Sequence, residues 1–458
     1  MLFHNWVFFL FFAVVYPVYL VVKGTRFQSL WLLAASYVFY GWWNPLYLLL
    51  ILYSTTVDYL AVVAMARWGR RKLLLFLSIV NNLGLLGFFK YGAFVTENVN
   101  ALLGRFGLTY ALPAPDVLLP VGISFFVFQS MSYTIDFYRG HIDQEPNFIR
   151  YATFVSLFPQ LVAGPIERAR NLLPQLRGTP RVTRQDVTDG LSLFVVGLFK
   201  KVALADYLAL YVDEVYAVPD LYPASALMLA TFAFAWQIYF DFSGYTDMAR
   251  GVARMMGIRI MLNFNNPYLA TGLGDFWGRW HISLSTWFKD YVYIPLGGNR
   301  RGQVRTYVNM ALTMIISGLW HGAQWTFVVW GALHALGRVV TRELERTTFY
   351  RERMPRCVKQ AVVFVFVCFC WIFFRAETFA DARLIVTRIF TSGLGDPAFP
   401  LLMAGLIGSV WAYQFVYESR VKRVLEWAPV RVGFVVAMVV YIAVFATSSN
   451  QAFIYFQF

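Results

Sequence analysis

Charged side chains are scarce in this sequence. Asp, Glu, Lys and Arg make up 14% of the 458 residues, whereas hydrophobic residues make up 59%. A soluble protein of this length carries far more charge because much of its surface must face water. The shortage of charge therefore excludes an ordinary soluble fold and predicts a surface that mostly faces lipid. The 15 Trp and 27 Tyr agree with that prediction, since both residue types concentrate at the headgroup level of a bilayer.

Cysteine is also rare, and two common catalytic signatures are absent. Cys357, Cys368 and Cys370 are not spaced as metal ligands, so we expect no disulfide framework, no cysteine chemistry and no metal site. No Gly-Lys-Ser/Thr follows the glycine pair at 297–298, which leaves ATP binding without support. No Gly-x-Ser-x-Gly elbow is present to indicate a serine acyl-enzyme.

The few charges are mostly positive, and the formal net charge is +14. In a soluble protein this excess would suggest a nucleic-acid partner. In a chain this apolar, Lys and Arg are instead expected in cytoplasmic loops, next to anionic headgroups. We therefore expect membrane lipids as partners and no nucleic acid.

Apolar runs separated by basic loops predict the membrane spans. Two or three of these runs are short against the ~17–25 residues that a helix needs to cross a bilayer, so we estimate about eleven spans. The first run has no basic stretch before it and no small-residue cleavage site after it, which predicts a retained span and not a signal peptide. The runs lie at residues 6–22, 29–42, 46–64, 73–89, 117–135, 191–204, 224–242, 307–320, 325–337, 362–374, 401–416 and 432–445.

The basic loops also predict the orientation. Lys and Arg follow the first, third and fifth runs, while the loops after the second and fourth carry few. The positive-inside rule then places the N-terminus outside the cytoplasm. The basic loops at 342–359 and 420–431 place the C-terminus outside as well.

Two stretches do not fit simple spans. Residues 154–163 are apolar but too few to cross the bilayer, which predicts a re-entrant or interfacial segment. Residues 247–305 mix Arg and Lys with aromatic residues, and each charge at mid-membrane depth would cost roughly 3 kcal/mol. We expect short amphipathic helices there, near the cytoplasmic face or packed inside the protein.

Two of the five histidines are catalytic candidates. Imidazole is the side chain best suited to accept a proton at neutral pH. His321 lies at a break between two apolar runs and among small residues, and His281 lies in the aromatic and basic stretch. His334 is better explained as a hydrogen-bonded packing residue.

Four basic residues near the candidate histidines have two possible roles. They could hold anionic lipid, or they could bind the phosphates of a donor molecule, because Arg presents two parallel donors to a phosphate. These residues are Arg279, Lys289, Arg300 and Arg301.

Eight segments resemble motifs of the membrane-bound O-acyltransferase (MBOAT) family. The resemblance implies an all-α polytopic fold in which about eleven spans, with re-entrant and amphipathic helices, surround a central tunnel. It also implies one membrane-embedded domain, 1–458, with peripheral helices (1–118), a motif-bearing core (119–342) and C-terminal helices (343–458). The segments are 119–125 (LPVGISF), 158–166 (FPQLVAGPI), 241–249 (DFSGYTDMA), 263–268 (NFNNPY), 280–285 (WHISLS), 290–300 (DYVYIPLGGNR), 318–322 (GLWHG) and 453–458 (FIYFQF).

The same resemblance implies an activity. His321 matches the near-invariant histidine of the family, and His281 matches its second site position. The family transfers acyl groups to hydroxyls, so we expect an O-acyltransferase of the bacterial inner membrane with both termini in the periplasm. The resemblance further implies a cytoplasmic acetyl donor, most simply acetyl-CoA, and no tightly bound cofactor. Its acceptor would be a secreted polysaccharide, with alginate favoured, and periplasmic acetyltransferase partners would complete the transfer.

Other functions remain open at this point. Within the family, the chain could transfer D-alanine to teichoic acid, or acetylate peptidoglycan or cellulose. Outside it, buried charges could line the path of a transporter, although transporters commonly have duplicated halves and we find no internal repeat. The third alternative is a non-catalytic scaffold of an export complex.

Overall fold

A computed structural model describes residues 1–108, 110–115, 117–445 and 453–454 of the chain. Within those ranges the chain forms helices and no strand, which confirms the all-α fold class. The apolar helices make the chain an integral membrane protein, while the count of about eleven spans stays a prediction. Five helices are long and apolar enough to cross a membrane, namely Tyr47–Trp68, Arg71–Phe89, Ala224–Met255, Arg356–Arg375 and Ala428–Phe445; two shorter apolar helices are Trp6–Val22 and Leu401–Tyr417.

The chain folds as two compact units. The first comprises Met1–Phe194 and Ala249–Met261, and the second comprises Val195–Met248 and Leu262–Phe458. The expected single domain and its three parts stay a prediction. The helices that lie wholly in the first unit are α1 (Trp6–Val22), α2 (Gln28–Gly41), α3 (Tyr47–Trp68), α4 (Arg71–Phe89), α5 (Gly92–Arg105), α6 (Ile123–Tyr138), α7 (Phe148–Ser156), α8 (Phe158–Leu161) and α9 (Ala169–Arg177).

The second unit contains the remaining helices and the candidate site. A π-helical segment, Phe199–Ala205, joins α10 to α11, and another, Lys289–Tyr293, follows α14. In chain order the helices are α10 (Arg184–Leu198, which begins in the first unit), α11 (Asp206–Ala217), α12 (Ala224–Met255, which ends in the first unit), α13 (Leu273–Arg279), α14 (Ile282–Phe288), α15 (Gly302–His321), α16 (Trp325–Leu344), α17 (Arg356–Arg375), α18 (Phe379–Thr391), α19 (Leu401–Tyr417), α20 (Arg423–Glu426) and α21 (Ala428–Phe445).

Several helices were not expected from the apolar runs, and α5 and α18 are two examples. Both mix polar and apolar residues, and such amphipathic helices escape a search for continuous hydrophobic stretches. α18 begins with a capping box, in which Thr378 accepts from the backbone N–H of Asp381 and Asp381 accepts from that of Thr378. Local capping therefore fixes the start of a helix that hydropathy does not reveal.

Short helices were expected throughout the stretch 247–305, but the structure shows them only after its first residues. Its first residues continue α12 to Met255, because the charge of Asp247 is neutralised by Lys200 at 2.7 Å. Beyond that point α13 and α14 are seven residues each, too short to cross a bilayer. Short helices are therefore confirmed for this stretch, and their position against the cytoplasmic face stays a prediction.

Two of the motif segments in the first unit pack against each other. Gly122 precedes α6 with φ of 74°, and a Cβ there would lie 2.9 Å from the carbonyl oxygens of Leu161 and Val162. Gln160 donates to the carbonyl of Phe154 at 2.8 Å, which fixes the short α7–α8 turn. The glycine is required by both its backbone conformation and the close approach.

A buried carboxylate joins three helices of the same unit. Asp58 of α3 is fully buried and accepts hydrogen bonds from Ser78 at 2.6 Å, from Asn82 at 2.9 Å and from Ser130. Those donors lie on α4 and α6. Since lipid supplies no hydrogen bonds, a polar group at this depth is tolerated only when the protein satisfies it.

In the second unit, α15 and α16 form a close helical hairpin. A Cβ on Gly331 would lie 2.5 Å from the carbonyl oxygen of Met314 and 2.9 Å from the Cα of Ile315. The backbones can approach this closely only because small residues stand at the contact. The hairpin places the end of α15, at His321, beside the start of α16.

We expect Gly331→Ala to destabilise the protein by about 1–3 kcal/mol, because the added methyl group forces the two helices apart. Gly405→Ala is the matched control: Gly405 lies on α19, and a Cβ there meets nothing within 4 Å. Thermal unfolding of the purified proteins in detergent compares the two. Equal unfolding midpoints would show that the close packing at Gly331 does not limit stability.

Candidate active site

His321 is the last residue of α15 and lies in a cage of aromatic rings. Its side chain is buried, and its ring centroid lies 5.2 Å from that of Trp330 and 5.3 Å from that of Phe374. Trp320 contributes a third ring at 5.0 Å. Gly322 follows in an extended conformation with the ring of Phe327 against it, where any larger residue would clash. The helix therefore ends in a buried environment of closely packed aromatic rings.

His281 lies between α13 and α14, where the backbone is held on both sides. The N–H of Asn265 donates to the carbonyl of Arg279, and the N–H of Ile282 donates to the carbonyl of Asn263, both at 2.9 Å. His281 itself has φ of 44° and ψ of 53°, a left-handed conformation that residues other than glycine seldom adopt. Such strain is found mainly where the surrounding structure enforces it, often at functional sites.

The side chain of Asn263 holds the ring of His281. Both residues are fully buried, and Asn263 Oδ1 lies 3.1 Å from His281 Nδ1. The same oxygen accepts from the backbone N–H of Ser283 at 3.2 Å and from its hydroxyl at 2.9 Å. Asn263 begins the motif segment 263–268, but it was not among the site residues predicted from the sequence.

The structure brings the two candidate histidines together. The ring centroids of His281 and His321 are 6.4 Å apart, and Phe242 of α12 packs edge-to-face on His281 at 4.7 Å. The separation is too long for a direct hydrogen bond between the rings, so a small group could contact both. Burial lowers the pKa of His281 to about 3, which keeps its imidazole neutral at physiological pH.

The four basic candidates fall into two groups. Arg279 is already paired, with Nε 2.6 Å from Asp275 and Nη1 2.5 Å from Glu418. Lys289, Arg300 and Arg301 are exposed, and the nearest carboxylate to Lys289, that of Asp290, is 3.9 Å away. Three exposed cations therefore lie on the segment that connects α14 to α15, while Arg279 holds α13 to the end of α19.

A buried ion-pair cluster joins the π-helical segment 199–205, α11 and α12, and its α12 member, Asp241, directly precedes Phe242. Lys201 Nζ is 2.7 Å from Asp206 and 2.9 Å from Asp241, and all three side chains are at most 5% exposed. A lysine within the run 191–204 thus has two carboxylate partners, which explains how the run tolerates its charge.

Phe453 and Ile454, the described residues of the C-terminal motif, reach the same part of α12. The backbone N–H of Ile454 donates to Asp241 at 2.7 Å, and the ring of Phe453 lies 5.9 Å from that of Phe242. The remaining residues of that motif, 455–458, lie outside the described part of the chain. The ring of Phe242 therefore contacts both His281 and Phe453.

No group of three or more His, Cys, Asp or Glu side chains within the described ranges could hold a metal ion. His334 is fully buried between Trp330 at 4.7 Å and Trp277 at 5.0 Å. Neither of its ring nitrogens has a hydrogen-bond partner among the described residues, so the hydrogen bond expected for this packing residue is not present there.

Comparison with known proteins points to one family. The sequence model of MBOAT, the membrane-bound O-acyltransferase family, matches residues 115–379, a range that contains both histidines. The probable alginate O-acetylase AlgI of Pseudomonas putida is 41% identical over 81% of this chain and 76% of its own length. The protein of that name from Pseudomonas aeruginosa is 41% identical over 82% and 73%. The peptidoglycan O-acetyltransferase of Helicobacter pylori is 35% identical over 80% and 74%.

The two groups of cations predict different effects on stability. We expect Arg279→Gln to lower the free energy of unfolding by about 1–3 kcal/mol, because it leaves Asp275 and Glu418 without their shared partner. Arg300→Gln, at an exposed position, should change it by less than about 0.5 kcal/mol. Chemical unfolding in detergent measures both. A loss of the same size in the two variants would contradict a structural role for the Arg279 pairs.

Proposed function

The chain belongs to the membrane-bound O-acyltransferase family, and we propose that it transfers acetyl groups to a secreted polysaccharide, with alginate as the first candidate. It is an O-acyltransferase, and its resemblance to probable alginate O-acetylases at 41% identity supports this acyl group and acceptor. The observation that carries the proposal is the pair of buried histidines, whose rings lie 6.4 Å apart inside the matched range.

The transfer we propose starts from a thioester. The hydroxyl oxygen of the acceptor attacks the acetyl carbonyl carbon, so that a C–O bond forms and the C–S bond breaks. His321 accepts the hydroxyl proton as general base and returns it to the departing thiolate, so no proton is gained or lost overall. An acetyl-His321 intermediate would divide the same transfer into two steps.

His281 would assist this step from the opposite side of the site. It could orient the acceptor or the donor, or polarise the acetyl carbonyl. The aromatic packing around both histidines supports any of these roles, because polar interactions are stronger where water is excluded. Phe242 and Trp320 supply part of that packing, at 4.7 Å and 6.0 Å from the His281 ring.

We assign the donor to acetyl-CoA, which would approach from the cytoplasm. The exposed side chains of Lys289, Arg300 and Arg301 would bind its phosphates, and its flexible arm would enter a central tunnel to reach His321. Arg279 would support this phosphate-binding site indirectly, since its guanidinium is already paired with two carboxylates.

The basic loops and the proposed acceptor together indicate where the protein lies and which partners it needs. The chain would lie in the bacterial inner membrane with both termini in the periplasm, because its basic loops fit the cytoplasmic side. The acceptor at His321 would be either a sugar hydroxyl or a serine of a periplasmic acetyltransferase partner that completes the transfer to the polysaccharide.

One other acceptor has specific support. The relative from Helicobacter pylori, at 35% identity over 80% of this chain, is a peptidoglycan O-acetyltransferase. Peptidoglycan is therefore the second candidate acceptor. Analysis of ester-linked acetate on both polymers from the same cells separates the two.

Replacement of His321 tests the function directly. We expect His321→Ala to reduce ester-linked acetate on the secreted polysaccharide by about 10²-fold or more, the scale of losing a general base. His281→Ala should also reduce it. His141→Ala is the matched control, because His141 has a side chain that is 55% exposed and lies in the first unit.

The measurement is ester-linked acetate per sugar, with the amount of each variant in the membrane determined in parallel. Normal acetylation by a normally inserted His321→Ala protein would overturn the proposed function. It would favour a transporter or a scaffold instead.

The donor site makes a separate prediction. We expect Lys289→Gln, Arg300→Gln and Arg301→Gln each to raise the KM for acetyl-CoA severalfold with a smaller effect on kcat, since they remove attraction for the phosphates away from the reacting atoms. The difference from wild type should shrink as salt is added. Arg383→Gln, at an exposed position of α18, is the charge-matched control. Unchanged KM values in all three variants would place the donor elsewhere.

A further inference from the structure

We propose that Asn263 is a positioning residue that fixes His281 in the form protonated at Nδ1, so that Nε2 accepts a hydrogen bond from a hydroxyl of the acceptor. This inference rests on the proposed function, because it selects one of the roles left open there for His281. It follows from three contacts of a single oxygen atom.

The first step is the orientation of the Asn263 carboxamide. Its oxygen and nitrogen are distinguished only by their hydrogen-bond partners. The backbone N–H of Ser283, which can only donate, points at this atom from 3.2 Å. The atom must therefore be the oxygen, and the Ser283 hydroxyl donates to it as well, at 2.9 Å.

The second step is the tautomer of His281. The same Asn263 oxygen lies 3.1 Å from His281 Nδ1, and a carboxamide oxygen can only accept. Nδ1 must therefore carry a hydrogen atom. In a neutral imidazole one ring nitrogen donates and the other accepts, so Nε2 carries the lone pair.

The third step follows from that lone pair. A neutral His281 with this tautomer cannot donate to the oxygen of the acetyl carbonyl, which removes the polarising role. It can accept from a hydroxyl. A sugar acceptor with two neighbouring hydroxyls can then engage both histidines, with one hydroxyl donating to His281 Nε2 while the reacting hydroxyl gives its proton to His321.

The surroundings of His281 limit what else could set its protonation. Among the described residues, the ring of His321 on α15 is a titratable group packed against it. From α12 it is faced by Phe242, and the neighbouring charge of Asp241 is paired with Lys201 at 2.9 Å. The ring of Phe264, the residue after Asn263, also packs against the His281 ring. Asn263 thus gives His281 Nδ1 an uncharged partner that can only accept.

The test replaces this partner by an isosteric carboxylate. In Asn263→Asp the side chain still accepts from Nδ1–H, but its charge favours the imidazolium form of His281. Protonated Nε2 can no longer accept, so activity should fall on the acid side at a higher pH than in wild type and approach wild type in the alkaline range. In Asn263→Leu we expect the transfer activity to fall between about 10- and 10⁴-fold at every pH. Losses of this size follow when a catalytic histidine loses the partner that sets its tautomer.

The assay is acetate transfer from radiolabelled acetyl-CoA to the polysaccharide by membranes that contain the full chain and its periplasmic acetyltransferase partners, measured from about pH 5 to about pH 9. Asn265→Asp is the matched control: it places the same charge two residues away on an exposed side chain and should leave the pH profile unchanged. The double variant Asn263→Asp with His281→Gln separates His281 from His321. Glutamine offers an accepting oxygen that does not titrate, so the shifted acid limb should disappear.

The outcomes distinguish this inference from the function on which it rests. An unchanged pH profile in Asn263→Asp, or an acid limb that persists in the double variant, overturns the role of Asn263 even when His321→Ala abolishes transfer. If Asn263→Asp does not accumulate, full activity of Asn263→Leu overturns it equally. Normal acetylation by His321→Ala instead overturns the proposed function itself.

Discussion

Within a bilayer the hydrocarbon offers no hydrogen bonds, so each buried polar group must find its partner inside the protein. That constraint explains the main polar contacts in both units. In the first unit Asp58 is surrounded by donors from α4 and α6, including Ser78 and Asn82. In the second unit Lys201 lies between two carboxylates. These clusters fix how the helices pack, because a shift of any one helix would leave a charged or polar group unsatisfied at a cost of several kcal/mol.

In the candidate site, the need to satisfy buried polar groups also orients a candidate catalytic side chain. Asn263 Oδ1 satisfies two donors of Ser283 and the ring of His281 at once, so it couples the start of α14 to the orientation of an imidazole. The left-handed conformation of His281 is maintained by this coupling and by the backbone pairing around it. His321 is positioned differently, by the end of a helix in a close hairpin. One histidine is thus oriented by hydrogen bonds and the other mainly by aromatic packing.

Much of the fold could be predicted from local composition, and the exceptions have physical reasons. The run 6–22 coincides with α1 because an uninterrupted apolar stretch has few alternatives to a membrane helix. α18 was missed because its apolar residues are interleaved with charges, so that its helix depends on capping and periodicity. The continuation of α12 through Asp247 was missed because a charge looks unfavourable until its partner, Lys200, is seen beside it.

The sequence by itself determined the membrane character, the helical class and the family, and it supplied the two histidines as candidates, because hydrophobicity and short motifs are local properties of the chain. Only the tertiary structure decided that His281 and His321 lie together, that Arg279 is paired while Lys289 is exposed, and that Asn263 contacts the His281 ring. Those facts depend on contacts between residues that are distant along the chain. Such distances result from the packing of many side chains together, so they cannot be predicted from any single segment.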